Sequence, residues 1–514
     1  MPGTLAEAAT RTGETTCFPI RSLSARELDR PLIVLSNRGP LEHHLDETGT
    51  LRAVRGQGGV ITALSAVAER ARVHWIAAAI TETDHRIASG ELSRPHRSPQ
   101  EKLSLQLVSL KPEVYDNYYN RFSNSFLWFL QHGIEHSKPR TTALEYAWRA
   151  GYVPANQAMA RATLRAACRL ETSPVVMLHD YHLYLVARYL RPLLPHAVIQ
   201  HFVHIPWPGP DTWDQLAAGT RASILASLLA NDIVGLHTRR DVRNFLDTAQ
   251  ALVPGAVVDR AASAIRYDGR TTRVHAYPIS VDVPKLRREV TSAEVRSYAK
   301  NLASVQGERT IVRVDRLDPS KNIVRGFEAF DLLLQRRPEL RGKVRFLCFL
   351  VPSRTSISVY RQYEHQTLEA ARSLNRRYGT SGWSPVQVFH ENNYYQALAA
   401  MQLYDVLLVN PVADGMNLVS KEGPIVNERD GVLVLSRTAG SYEQLAEGAL
   451  GVNPRDVMQT LRTLEAALDM PCAERQRRAN LLKCAVEQED LSFWLDSQLA
   501  DIDEILRLRP ESRP

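Results

Sequence analysis

Short apolar runs alternate with helical patterns along most of this chain, and the alternation starts twice. The first series comprises residues 31–35, 73–79, 105–110, 174–178, 198–203 and 233–236. The second begins after Pro278-Ile279-Ser280-Val281-Asp282 and comprises residues 310–314, 344–350, 386–389, 406–409 and 432–435. Helical spacing fills intervals such as 155–170, 323–336, 359–378 and 395–404. Runs this apolar read as strands buried on both faces, so strands and helices taking turns predict parallel sheets covered by helices. The restart predicts two α/β domains with a boundary near residue 280. In such sheets ligands sit at the C-terminal strand ends, here in the cleft between the domains.

A chain of 514 residues has room for more than one domain. Its net charge of +7 is a mild excess over that length, suited to an anionic small-molecule substrate. No basic block interleaved with aromatics occurs, which argues against nucleic acid. No apolar run approaches membrane-spanning length and no signal-like N-terminus is visible, so a cytoplasmic protein is expected. The five cysteines form no CxxC or Cys/His cluster, and several sit among apolar neighbours as reduced core thiols would, without structural zinc.

The sharpest local pattern is Asp414-Gly415-Met416-Asn417-Leu418-Val419-Ser420-Lys421-Glu422. It follows the apolar run 406–409 and enters a segment able to start a helix. The first N–H groups of a helix are unpaired and carry roughly +0.5 of an elementary charge, so a strand, a small turn and a helix start can hold an anion. Asp414 and Glu422 bracket the turn, and carboxylates accept from hydroxyls rather than bind phosphate. A phosphate cradle between two hydroxyl acceptors suits a sugar nucleotide. An ordinary solvated corner is the alternative.

A second pattern, Arg313-Val314-Asp315-Arg316-Leu317-Asp318-Pro319-Ser320-Lys321-Asn322, puts Arg316 and Lys321 on the loop after the strand at 310–314. Two cations on one loop can neutralise a diphosphate, Arg as a planar fork and Lys as a point charge. A surface loop with internal Asp–Arg pairing is the plain reading. His201-Phe202-Val203-His204-Ile205-Pro206 and Val176-Met177-Leu178-His179-Asp180-Tyr181-His182 each end a strand with polar side chains able to meet a sugar, or to serve the core. Tyr118 to Trp128 offers aromatics for a sugar platform or for packing. The Asp-x-Asp motif Asp501-Ile502-Asp503 falls in a predicted helix, which weakens a metal-dependent transferase. No P-loop, Gly-x-Ser-x-Gly or His-Glu-x-x-His is present.

Together these segments resemble the trehalose-6-phosphate synthases, retaining glycosyltransferases of family 20, from about residue 31 to about 500. The motifs that carry the resemblance are Ser36-Asn37-Arg38, Tyr119-Asn120-x-Phe122-Ser123-Asn124, His179-Asp180-Tyr181-His182, His204-Ile205-Pro206, Arg316-Leu317-Asp318-x-Ser320-Lys321 and Asp414 to Glu422. The resemblance implies a GT-B fold, two Rossmann-like doubly wound parallel-sheet domains facing a central cleft. It implies an extension over 1–29, an acceptor-binding domain over 30–280, a nucleotide-sugar domain over 281–473, and helices over 474–514 packing back across the cleft. Arg316 and Lys321 would stabilise the leaving diphosphate. Glu422 would bind the ribose, Asp414 the hydroxyls of the donor glucose and His204 its 6-hydroxyl. Amides of Gly415, Met416, Asn417, Leu418 and Val419 would touch the diphosphate and sugar, and Gly58 and Gly59 would close over the donor. The base would rest on 390–393. Arg38, Tyr119 and Arg354 would bind the acceptor phosphate, with Asp180 and Trp128 near the acceptor sugar. The implied chemistry uses no metal, cofactor or protein nucleophile. The implied partners are a nucleotide-glucose donor and glucose 6-phosphate, and a homo-oligomer is left open.

The chain departs from the family pattern in three places. Ala78 stands where a Trp usually lines the acceptor site, Ala413 replaces an Arg, and Pro319-Ser320-Lys321-Asn322 replaces Tyr-Ser-Lys-Gly. With Val426-Asn427-Glu428-Arg429-Asp430, these are similar to the actinobacterial offshoot that includes validoxylamine 7′-phosphate synthase, which leans the expectation toward GDP-glucose over UDP-glucose. Another phosphorylated acceptor, or a non-catalytic sugar-phosphate-binding role, are the competing expectations.

Overall fold

The computed structural model describes residues 30–55, 63–64, 67, 71–93, 102–135, 141–305 and 307–509. The expected extension over 1–29 and the Gly58–Gly59 turn lie outside these described residues. In chain order the strands are β1 (Leu32–Ser36), β2 (Leu41–Leu45), β3 (Leu51–Arg55), β4 (Val73–Ala78), β5 (Leu103–Val108), β6 (Val175–His179), β7 (Val198–Phe202), β8 (Ile233–Leu236), β9 (Val257–Asp259), β10 (Ala264–Tyr267) and β11 (Arg270–Ala276). The second series is β12 (Arg309–Arg316), β13 (Val344–Val351), β14 (Val386–Phe389), β15 (Val406–Val409), β16 (Val432–Ser436) and β17 (Leu450–Val452).

One sheet runs β5-β4-β1-β6-β7-β8-β11-β10-β9, the other β14-β13-β12-β15-β16-β17, and β2 and β3 form a hairpin. The first sheet is parallel from β5 to β11, with antiparallel pairs at its β9–β10 edge. The second is parallel throughout. In both, chain order reverses at a central pair: β1 and β6 in the first, β12 and β15 in the second. The loops leaving such a pair diverge to opposite faces, which opens a crevice at their C-terminal ends.

The central strands β1, β6, β7, β8, β15 and β16 are buried along their whole length. Successive side chains point to opposite faces. Ile33 and Leu35 therefore join one apolar cluster while Leu32 and Val34 join another. The second sheet repeats this, with Leu407 and Val409 on one face and Val406 and Leu408 on the other. The α/β class and the two-domain organisation expected from the alternation are both present. Sequence patterning did not predict β2, β3, β9, β10, β11 or β17. The sparse burial of β2 and β9 erases the apolar signal that marked the central strands.

The tail forms two helices, Cys472–Gln488 and Leu491–Leu508, because the Asp490 side chain accepts from the Phe493 amide and starts the second. Leu482 and Val486 of the first pack with the second sheet's helices. Leu491, Trp494, Leu495, Leu499, Ile502 and Ile505 of the second pack against the first sheet. Gln498 meets Gln200 at 2.9 Å, and Asp501 meets His275 at 2.5 Å. The Asp-x-Asp motif thus sits in a packed helix. Cys348 is buried as expected, whereas Cys168 and Cys472 are exposed. Among the described residues no helix is long and apolar enough to cross a membrane.

Trp494 is fully buried, edge-on to Phe202. Trp494→Ala should lower the unfolding free energy by about 3–5 kcal/mol, the cost of emptying a core aromatic site. Urea denaturation measures this, and a loss below about 1 kcal/mol would mean that the tail helix does not share the core of the first sheet.

Candidate active site

The crevice between β12 and β15 is built on a buried guanidinium. Arg313 has no solvent access. A charge there is tolerable only when its N–H groups are placed. Its Nε donates to Asp315 at 2.8 Å and one Nη to the Lys321 carbonyl at 3.0 Å, with the Asn410 side chain as a further acceptor. This pins the loop after β12 against the end of β15. Asn322, at φ +60°, completes the tie by donating to the Asn410 carbonyl at 3.0 Å.

On this base, Lys321 Nζ donates to Asp414 Oδ2 at 2.6 Å and lies 4.0 Å from Asp315. Burial opposes its charge, but Asp414 and Asp315 hold the ammonium above its ordinary range. Burial likewise opposes the Asp414 carboxylate, yet Lys321 and Asn417 keep its pKa below the usual value. Arg316 projects outward, half exposed, with an Nη 2.7 Å from Asp318.

The turn from Asp414 is clamped by backbone. The amides of Gly440 and Ser441 donate to the carbonyls of Asp414 and Met416 at 3.1 and 3.0 Å. A Cβ on Gly440 would overlap the Gly415 carbonyl, and one on Gly415 would overlap the carbonyl of His204 from the other domain. Met416 is buried in the first domain's apolar cluster. Asn417, at φ +72°, donates to Asp414 at 3.1 Å and accepts from the Ser420 amide. The helix Val419–Val426 follows; Leu418 supplies no side-chain cap, and Asn417 takes only the Ser420 amide of its first turn. Glu422 is pushed up to about 7 by burial and by the nearby Glu289 carboxylate. The expected base-contact stretch 390–393 follows β14, with His390 paired to Glu364 at 2.8 Å.

The facing crevice lies between β1 and β6. Arg38 follows β1 and stays half exposed, 3.9 Å from Glu42. Asp180 follows β6 at φ +77°, and its Oδ1 accepts from the His204 amide at 3.2 Å. Burial raises its carboxyl to about 6 despite hydrogen bonds from the Tyr181 and His204 amides. Tyr119 stacks between Tyr115 and His182, at 5.2 and 5.4 Å between ring centres. Arg354, from beyond β13, reaches across the cleft to Tyr181 at 3.3 Å. Its guanidinium lies over the rings of Trp128 and Tyr360, at 5.5 and 5.2 Å. Trp128 is buried beneath that cation. It therefore supports Arg354 rather than offering an open platform.

The structure thus gathers Arg316, Lys321, Asp414, Gly415 and Glu422 on one lip, and Arg38, Tyr119, Asp180 and His204 on the other, with Arg354 and Trp128 bridging. Ala78 is buried at the end of β4, and Trp75 on the same strand is fully buried, donating to Ser36 at 2.8 Å. Neither supplies an aromatic to the cleft.

Several features of the site carry no signal in the local sequence. Tyr119 and Trp128 owe their placement to a π-helix, Asp116–Leu127, in which the amide of Trp128 donates to Ser123, five residues back. No local sequence rule predicts so wide a helix. His179 Nδ1 lies 3.1 Å from His204 Nε2. Lys421 is buried, donates to the Ile279 carbonyl at 2.8 Å, and is brought down by burial to about 7. It ties the helix Val419–Val426 to the crossing between the domains.

The profile of Glycosyltransferase family 20 matches residues 30–504. An alpha,alpha-trehalose-phosphate synthase [UDP-forming] of Schizosaccharomyces pombe is 31% identical over 93% of this chain and 91% of its own length. A solved Escherichia coli structure, named for trehalose-6-phosphate and bound with UDP-2-fluoro glucose, superposes with a TM-score of 0.78 at 27% identity, covering 92% of this chain and 98% of that one. An alpha,alpha-trehalose-phosphate synthase (UDP-forming) from Burkholderia xenovorans in complex with glucose-6-phosphate superposes with a TM-score of 0.76 at 29% identity, covering 92% of this chain and 100% of that one.

Burial lowers six site histidines, His179 to about 3, His132, His201 and His237 to about 4, and His182 and His204 well below their ordinary value. Unfolded, each would titrate near 6.5, so the unfolded chain binds more protons between those values. Their stability is complete above pH 6.5 and is lost as pH falls toward 4. Asp180 and Glu422, raised to about 6 and about 7, act oppositely and are relieved on acidification. With six histidines against two carboxyls, stability should fall from pH 7 to pH 5. His201→Gln should flatten that slope by up to about 1.4 kcal/mol per pH unit, read from urea midpoints across the range. An unchanged slope would contradict a neutral buried His201.

Proposed function

Because the chain belongs to glycosyltransferase family 20, we propose that it makes α,α-trehalose 6-phosphate by transferring glucose from a nucleotide-glucose to glucose 6-phosphate. The observation that carries this is the pair of cationic sites on opposite lips of one cleft, Arg316 with Lys321 and Arg38 with Arg354. A donor diphosphate and an acceptor phosphate need one each. Residues 30–280 are assigned to the acceptor, 281–473 to the donor and 474–514 to the tail that spans both. A cytoplasmic setting fits substrates of this kind.

In this proposal the donor diphosphate lies against Arg316, Lys321 and the open amides from Gly415 to Val419. Those groups stabilise negative charge as the bond from the anomeric carbon to the leaving phosphate oxygen breaks. Cations and amides already held in place do so without reorganising, which favours the transition state. Lys321 arrives oriented because Asp414 and Asp315 hold it. Asp414 keeps one oxygen for glucose hydroxyls, and His204, neutral through burial, can exchange a hydrogen bond with the 6-hydroxyl. Glu422 stands where the ribose would lie.

The acceptor's phosphate is assigned to Arg38, Tyr119 and Arg354, which turns its anomeric hydroxyl toward the donor. That hydroxyl attacks on the face the diphosphate leaves. Its proton passes to a phosphate oxygen, and configuration is retained. Gly58 and Gly59 are assigned to closure over the donor. The UDP-forming names of the similar proteins support UDP-glucose over the GDP-glucose expected from the departures at Ala78 and Ala413.

Purified protein given UDP-glucose or GDP-glucose, with glucose 6-phosphate or glycerol 3-phosphate, tests the proposal by anomeric NMR of the products. UDP-glucose with glucose 6-phosphate should yield the α,α-1,1 linkage. No product from either nucleotide with glucose 6-phosphate would reject it, and product only with glycerol 3-phosphate would reassign the acceptor. Lys321→Ala should cut kcat by about 10²–10³, the scale for removing one oriented transition-state donor. A change under about tenfold would remove Lys321 from that role.

A further inference from the structure

Asp318 joins the two cationic sites. Its side chain has no solvent exposure. Oδ2 lies 2.7 Å from an Nη of Arg316, and Oδ1 lies 3.3 Å from an Nη of Arg354. Arg316 ends β12 on the donor lip. Arg354 leaves the neighbouring β13 and reaches Tyr181 on the acceptor lip. The Asp318 loop is held in place from both sides, since the Leu317 amide donates to Val351 at 2.8 Å and the Lys321 amide to the Asp318 carbonyl at 2.9 Å.

A buried carboxylate is stable only with countercharge. Burial alone would raise its pKa, but Arg316 and Arg354, with the Ser353 hydroxyl, hold it at about 2. The residue is therefore an anion that two cations share. Arg354 is packed between aromatic rings, whereas Arg316 is half exposed and held on one side by Asp318.

We propose that Asp318 is a positioning residue that couples donor binding to acceptor binding, a role that rests on the assignment of Arg316 to the donor diphosphate and Arg354 to the acceptor phosphate. When an acceptor phosphate engages Arg354, it takes over part of that cation. The buried carboxylate then relies on Arg316 for its countercharge and draws it into one orientation. The remaining N–H groups of Arg316 are thereby aimed at the donor before it arrives. Linkage requires the converse, so a bound diphosphate strengthens acceptor binding by the same factor.

Calorimetric titration of the full-length protein tests this, with UDP (and GDP in parallel) titrated with and without saturating glucose 6-phosphate, and the reverse. The wild type should bind each ligand about fivefold or more tightly in the presence of the other. Asp318→Asn keeps the shape but not the charge. Its coupling factor should fall to about one while each ligand alone binds within about threefold of wild type, and kcat should fall more than either KM changes. A structural role alone would instead weaken both ligands and lower Tm without altering the factor. If the Asn variant does not fold, Asp318→Ser, which leaves room for water, is measured by the same criteria. A variant that keeps the wild-type factor, or a wild type that binds both ligands without coupling, overturns the proposal and leaves the assigned function standing. A wild type that binds neither ligand overturns both.

Discussion

A guanidinium cut off from water, that of Arg313, organises the crevice between β12 and β15. It lies within β12, so every N–H it carries must be answered by the protein. The answers come from Asp315, the Lys321 carbonyl and Asn410, which belong to two different strand–loop units. Meeting that demand locks the loop after β12 to the loop after β15. Lys321 and Asp414 consequently meet at 2.6 Å without either having to search for the other. Gly326 is part of the same demand, because a Cβ there would strike the guanidinium.

Strain and close approach concentrate along the same cleft. Asp180, Asn322, Arg354 and Asn417 all have positive φ, a conformation that costs free energy in residues with side chains and persists only where the surroundings impose it. Each follows a strand end at one of the two crevices or beside it. Gly415 and Gly440 let three backbone segments from both domains pass in contact. The cleft is therefore narrow because backbone meets backbone there, and Met416 anchors the turn by burying its side chain in the opposite domain.

Charge in the site is arranged by partnership rather than exposure. Lys321 and Asp414 are buried yet remain ionised because they hold each other, and Asp318 does so between Arg316 and Arg354. Glu422, Asp180 and the site histidines lack such partners, and burial moves them toward neutrality. Neutral hydrogen-bonding groups suit sugar hydroxyls, while retained cations suit phosphates, and one cleft holds both kinds of group.

Much of this was legible in the chain itself. Apolar runs without alternation marked β1, β6, β7, β8 and β12 to β16 to within two residues, since a strand covered on both faces must be apolar throughout. Motifs at the ends of those runs located Lys321, Asp180, His204 and Asp414 on cleft loops, because a parallel sheet brings all its C-terminal ends to one edge. Arg316, expected on the same loop as Lys321, is instead the last residue of β12, because the strand runs two residues further than its apolar run. The half-exposed strands β2 and β9 carried no such signal. The π-helix under Tyr119 and Trp128, the burial of Trp128 beneath Arg354, the pairing of His179 with His204 and the sharing of Asp318 by two arginines were not legible either. Periodicity and turn chemistry act over a few residues, so the sequence by itself determined the two sheets and the loops that carry the polar groups. Which loops face each other across the cleft, and which charges lose their water there, depends on contacts between residues far apart in the chain, and only the tertiary structure decided them.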